Sequence, residues 1–371
     1  MNENKKPPTE STILDALKRG RVSLPPLSFA LVENEPLIAG KYRFSALLSG
    51  SWAESTVTFV AEIKALCTPK AFMAGIAMLK AAALPKSRPP LLVTSFLSEA
   101  QLQELEREGI NGVDLCGNGV INIAPRLTVF RTGQPNRFPS YAPIKNIYRK
   151  NSSLVGRVFL SYPRFTSVNQ VVEEIAKRDR FAPAMGLPSL TLGTVSKVLS
   201  GMEQDLIIER GAKGIDLLQP ETLLEKLSRN YAGPAGVVIA LKVYSTGKEL
   251  LERLAIAAAK IQAPIVASGL SSVNRYAVMQ REDNLTVFCP RTEALIEQLA
   301  SESSATDRFP NLEIFGTQDS TVYFDATEEN RFFWASPLQT YLELMAGDKR
   351  DQETAGQVRT FLLNAIKGKI S

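Results

Sequence analysis

Residues 152–218 constrain the fold more than any other stretch, because three apolar-periodic segments run directly into a glycine-tipped basic hairpin. Leu154, Val155, Val158 and Phe159 fall at helical spacing. Phe165-Thr-Ser precedes a second segment in which Val168, Val171, Val172 and Ile175 recur at i, i+3, i+4 and i+7, one buried helical face behind a Ser/Thr cap. The third, Leu190 to Gln204, repeats the pattern with Val195, Val198, Leu199 and Met202. Its outward positions are Thr191, Gly193, Thr194, Ser196, Lys197 and Ser200. These are small, hydroxyl-bearing or cationic side chains, which let a helix approach a groove and donate to phosphates and base edges. Leu206 to Leu218 then alternates around Arg210-Gly-Ala-Lys-Gly214, a ribbon with Arg210 and Lys213 at its tip. Three helices and a basic ribbon describe a winged helix-turn-helix, whose third helix enters the major groove while the wing meets the backbone. Arg178 to Ser189, with two prolines, is longer than the usual turn and reads equally as an ordered insertion or a loop.

Charge supports a polyanionic partner at the front of the chain. Residues 1–140 carry 16 basic and 12 acidic side chains and residues 141–220 carry 11 and 7, whereas residues 221–371 carry 16 and 19. Histidine is absent, which excludes Ser-His-Asp and Cys-His nucleophile systems and His-ligated zinc or haem. Cys67, Cys116 and Cys289 are too far apart for a C-x-x-C knuckle and read as buried thiols in a reducing compartment. The first residues lack the apolar core of a secretory signal, and no stretch approaches ~20 uninterrupted apolar residues. A cytoplasmic protein without membrane contact, cofactor or metal is expected.

With 371 residues at about 150 per domain, the chain has room for two or three domains. Residues 1–133 read as one α/β domain of order β-β-α-β-α-β-β, a mixed sheet flanked by helices. Its strands begin with the hairpin Tyr42–Ser49 and Ser55–Lys64. Glu62-Ile-Lys64 ends the second of these before a helix, the place where restriction-endonuclease-like folds carry E-x-K, the glutamate holding Mg²⁺ and the lysine orienting water. Such a site needs a second carboxylate on the preceding strand, and the sequence has Ser45 there. A strand-end ion pair accounts for Glu62 and Lys64 equally well. Asp114 and Asn118 flank a glycine-rich turn, either holding a ligand or capping the turn. Residues 134–151 form a Pro-containing linker whose basic end (Lys145, Arg149, Lys150) is suited to tracking a phosphate backbone. Residues 152–220 are the winged helix, and residues 221–371 are a C-terminal α/β domain with Ser336-Pro337 as a helix start.

Short strings in all three parts carry a resemblance: Val60-Ala-Glu-Ile-Lys64, Val113-Asp-Leu-Cys-Gly-Asn118, Ser152-Ser-Leu-Val155, Leu192-Gly-Thr-Val-Ser-Lys-Val-Leu199, Leu217-Leu-Gln-Pro220 and Ser336-Pro-Leu-Gln-Thr-Tyr-Leu342. The chain resembles the AbiEi-type bacterial transcriptional regulators, the antitoxins of type IV toxin–antitoxin systems, in the larger form with an N-terminal restriction-endonuclease-like domain. The resemblance implies a repressor that binds operator DNA, and a C-terminal domain that engages a cognate toxin or another regulatory protein.

The leading expectation is therefore a non-catalytic, homodimeric regulator of double-stranded DNA. Arg157, Lys197, Arg210 and Lys213 are assigned to phosphates, and Thr191, Thr194, Ser196 and Lys197 to bases, with Ser200 on the same outward face. The alternatives are a Mg²⁺-dependent nuclease using Glu62 and Lys64, and a replication or maintenance factor of a mobile element.

Overall fold

The computed structural model describes residues 8–38, 41–138, 146–278, 284–300, 303–305 and 309–370. It is a mixed α/β structure in two compact units, Met1–Lys145 and Asn146–Ser371. None of its described helices is long and apolar enough to cross a membrane.

The first unit runs α1 (Glu10–Lys18), β1 (Ser23–Leu24), β2 (Leu27–Asn34), β3 (Leu37–Ile38), β4 (Tyr42–Arg43), β5 (Ala46–Trp52), β6 (Ser55–Lys64), α2 (Pro69–Ala81), β7 (Pro90–Thr94), α3 (Glu99–Arg107), β8 (Asn111–Asp114), β9 (Gly119–Ile123) and β10 (Leu127–Arg131). Its main sheet has the order β1-β2-β5-β6-β7-β8-β9-β10. Strands β6, β7 and β8 are parallel, which requires crossovers, and α2 and α3 supply them. Each crossover helix starts on a side-chain cap, Thr68 before Pro69 and Ser98 with Gln101. Alternation along β6 sends Phe59, Ala61 and Ile63 to the face that α1 covers with Ile13 and Leu17. Val60 goes to the face that Phe72, Ile76, Leu102 and Leu105 cover. The structure thus adds β1–β3 in front of the expected hairpin and β10 behind the last expected strand, and it divides the expected strand Tyr42–Ser49 between β4 and β5. Gln134 exchanges hydrogen bonds with Asn118, so part of the expected linker packs onto this unit.

The second unit begins with α4 (Ser153–Ser161), β11 (Arg164–Phe165), α5 (Val168–Arg178), α6 (Leu192–Gln204), β12 (Ile208–Gly211), β13 (Gly214–Leu217) and α7 (Pro220–Arg229). The three short strands form an antiparallel sheet of order β11-β13-β12. It continues as β14 (Val237–Val243), α8 (Gly247–Ile261), β15 (Val266–Ala267), α9 (Gly269–Ser272), β16 (Leu285–Cys289), α10 (Thr292–Leu299), β17 (Ser303–Ala305), β18 (Leu312–Gly316), β19 (Thr327–Glu329), β20 (Phe332–Trp334), α11 (Pro337–Ala346) and α12 (Lys349–Ile370). Its larger sheet has the order β17-β14-β18-β16-β15-β20-β19. Residues 152–220 and 221–371, expected as separate domains, belong to this one unit.

The reason lies in α4. Its spacing predicts one apolar face, yet every residue from Ser153 to Leu160 is buried. Val155, Val158 and Phe159 are buried, as are Val171 and Ile175 of α5 and Val195, Val198 and Leu199 of α6, and the three helices pack on one another. The remaining surface of α4 packs on α7 and α12, and a β-carbon at Gly156 would stand 3.1 Å from Leu223.

Candidate nucleic-acid interface

Helix α6 starts on Thr191, whose Oγ accepts from the Thr194 amide and bonds the Thr194 hydroxyl. Burial of Val195, Val198, Leu199 and Met202 fixes the rotation of the helix and turns Thr191, Gly193, Lys197 and Ser200 outward. Thr194 and Ser196 are half-buried at the margins of that face. A β-carbon at Gly193 would meet nothing within 4 Å, so this turn of helix is open to a close approach. Leu192, an apolar residue that reads as core, is 50% exposed at the same end.

The hairpin β12–β13 turns through Ala212 and Lys213, both exposed. Gly214, at φ +133°, is required here: a β-carbon would lie 2.2 Å from the carbonyl oxygen of Phe165 in β11. Lys197 and Lys213 form no ion pair among the described residues. Arg210 behaves differently. It sits before the turn, and its guanidinium folds back onto α6, with Nε 2.8 Å from Glu203 Oε2 and Nη2 2.9 Å from Ser200 Oγ. The expectation of a free cation at the hairpin tip therefore applies to Lys213, while Arg210 is neutralised by Glu203.

Arg157 corrects a second expectation. Far from facing a phosphate, it is 3% exposed inside the unit. One guanidinium nitrogen donates to the Thr321 carbonyl and to Gln339 Oε1, at 2.9 Å each. Burial lowers its pKa from the ordinary guanidinium range. Arg149 and Lys150 are exposed ahead of α4. Lys145 lies outside the described residues. Tyr148 anchors this approach by donating to Asp205 at the end of α6, 2.6 Å away, while Lys226 pairs with the same carboxylate. Burial, and then Asp205, raises the Tyr148 pKa.

In the first unit, Glu62 and Lys64 form a 2.8 Å ion pair at the end of β6. The Ser45 hydroxyl occupies the place of a second carboxylate, donating to Glu62 Oε2 and accepting from the Ile63 amide. No group of three or more Asp, Glu, Cys or His among the described residues could hold a metal ion. Asp114 is consumed by structural hydrogen bonds, most of them within its own turn. Its two oxygens accept from the amides of Leu97, Cys116, Gly117 and Asn118 and from the Asn118 side chain. Cys116 and Cys289 are buried thiols as expected, but Cys67 is only partly buried.

Comparison with protein-family models, with curated proteins and with solved structures finds no match to this chain.

Proposed function

We propose that the protein is a sequence-specific regulator that binds duplex DNA through α6 and the β12–β13 hairpin. The order helix–strand–helix–helix–strand–strand, with one face of α6 uncovered, supports a winged-helix reading. In this reading Thr191, Thr194, Ser196 and Lys197 face base edges, and Lys197, Lys213, Arg149 and Lys150 face phosphates. The observation that carries it is the uncovered face of α6, where an ion-pair-free Lys197 stands among small hydroxyl residues, followed by an exposed Lys213 at the hairpin turn. The resemblance to AbiEi-type regulators supports the same reading, with repression of its own promoter, a homodimer on a two-fold site, and a protein partner at the C-terminal part.

The test is a gel-shift titration on the upstream region of the protein's own gene across a salt series. Affinity should fall with a log–log slope of about −0.9 per phosphate contacted, and Lys197→Ala with Lys213→Ala should make that slope shallower by about two contacts. Salt-insensitive binding, or an unchanged slope in the double variant, would overturn the reading.

A further inference from the structure

The segment between α5 and α6 is an ordered insertion, and it forms one wall of a cleft of about 850 Å³. Phe181 packs edge-on against Phe333 of β20, with ring centroids 5.0 Å apart, and touches Tyr323. Arg180 stacks over the Phe333 ring, and its guanidinium donates to the Ala326 carbonyl beside β19. The facing wall is α8, which turns the short side chains of Ala255 and Ala259 toward the space. Leu250, Leu254, Ala257 and Ile261 bury the opposite face of that helix. The volume falls within the range of small-molecule sites, roughly 300–1,000 Å³, and apolar and aromatic walls with a few polar groups are what such sites require.

The polar groups at the rim select a charge. Lys248 and Glu252 lie 3.7 Å apart and offset each other. Arg331, at the turn of the β19–β20 hairpin, lines the same cleft and pairs with no carboxylate among the described residues. The rim thus carries one uncompensated positive charge over an aromatic and alanine-lined interior. We infer that this cleft binds a small aromatic organic acid, its ring between α8 and the Phe181–Phe333 pair and its anionic group at Arg331, and that occupancy is felt by the segment leading into α6. A ligand here touches Phe181 directly, and Phe181 belongs to the stretch that joins α5 to α6. On the DNA-binding reading, on which this last step rests, the cleft is an effector site for the recognition helix.

The probe is 8-anilinonaphthalene-1-sulfonate, an aromatic anion of suitable size that fluoresces on leaving water. Titration of the full chain should saturate at one site. Ala259→Phe, an exposed position whose new ring fills the cleft, should weaken binding at least tenfold. Arg331→Glu should weaken it several-fold, and 2-naphthoate should displace the probe at least tenfold better than neutral 2-naphthamide. With probe bound, amide exchange at residues 182–187 should slow several-fold. Unchanged binding in Ala259→Phe, equal displacement by the neutral amide, or unchanged exchange at 182–187 would each overturn the proposal. A gel shift with and without probe separates the two readings. If DNA binds but its affinity ignores the probe, the effector role falls; if DNA does not bind at all, the DNA reading falls while the site stands on fluorescence and exchange.

Discussion

Arg157 of α4 and Gln339 of α11 meet at 2.9 Å, inside the second unit and without solvent. Gln339 passes the contact on, donating to the Tyr231 hydroxyl and to Glu343 Oε1 at 2.9 Å each. Glu343 in turn accepts from the Leu270 amide at the start of α9. The first of the three helices is therefore tied to α11 and α9 by a buried polar chain, in which Arg157 Nε is a buried donor without a hydrogen-bond partner.

Removing Arg157 should unfold this junction before it affects any nucleic acid. Arg157→Ala strands the Thr321 carbonyl and Gln339 in a closed interior, at a cost on the order of 3 kcal/mol. Arg157→Met, apolar and of similar length, should recover part of that cost. Urea unfolding of both variants checks the order. DNA affinity per folded molecule should remain within about twofold of the parent, since the side chain touches no surface.

Arg210 should matter to DNA only once it is released. Glu203 holds it at 2.7 Å, so the pair presents little net charge beside α6. Glu203→Gln removes the acid and leaves the guanidinium charge uncompensated, so affinity should rise several-fold and the salt slope should steepen by about one contact. Arg210→Ala in the parent background should change the slope far less than Lys213→Ala. Gel shifts on one operator fragment at several salt concentrations measure all three.

Much of the bundle was legible because its signals are local. Val195, Val198, Leu199 and Met202 fix the buried side of α6 whatever surrounds it, and Thr191 caps its own helix three residues ahead. The Asp114 turn was legible only as two alternatives, a ligand site or a cap, and the structure shows the cap. Arg157 was not, because its partners Thr321 and Gln339 lie 164 and 182 residues away. Arg210 was misread because alternation along a hairpin places a residue on a face but does not say which side chain of a neighbouring helix it will meet. Strand β2 escaped notice because its pairing with β5 shifts register between Leu31 and Glu33, which blurs the two-residue period. Two-residue β11 has no period to read.

Ser45 offers a direct test of what the first unit lacks. Its hydroxyl lies 3.2 Å from Glu62 Oε2, so Ser45→Asp would place two carboxylates within contact of each other. Like charges so close repel, and one of them must take up a proton or a cation. The variant should melt below the parent in chelator and regain several degrees in millimolar Mn²⁺, while the parent's melting temperature stays unmoved. Thermal unfolding with and without the metal decides it.

Asp179 should make the second unit lose stability as pH rises from weakly acid to neutral. It ends α5, where the helix's own carbonyls already present negative potential, and its Oδ1 has no hydrogen-bond partner. Burial pushes its carboxyl up to about 6, against about 3.9 in an unfolded chain. Between those values the folded protein holds the proton more tightly than the unfolded one. The slope of unfolding free energy with pH is then negative, and the contribution present below about pH 4 is lost as pH climbs through about 6. Asp179→Asn supplies a neutral side chain at every pH. It should flatten this slope and stabilise the unit at pH 7 by on the order of 1–2 kcal/mol, the solvent that still reaches the carboxyl screening the rest. Denaturant unfolding of parent and variant from pH 4 to 8 gives both curves, and parallel curves would mean that Asp179 ionises without cost where it stands.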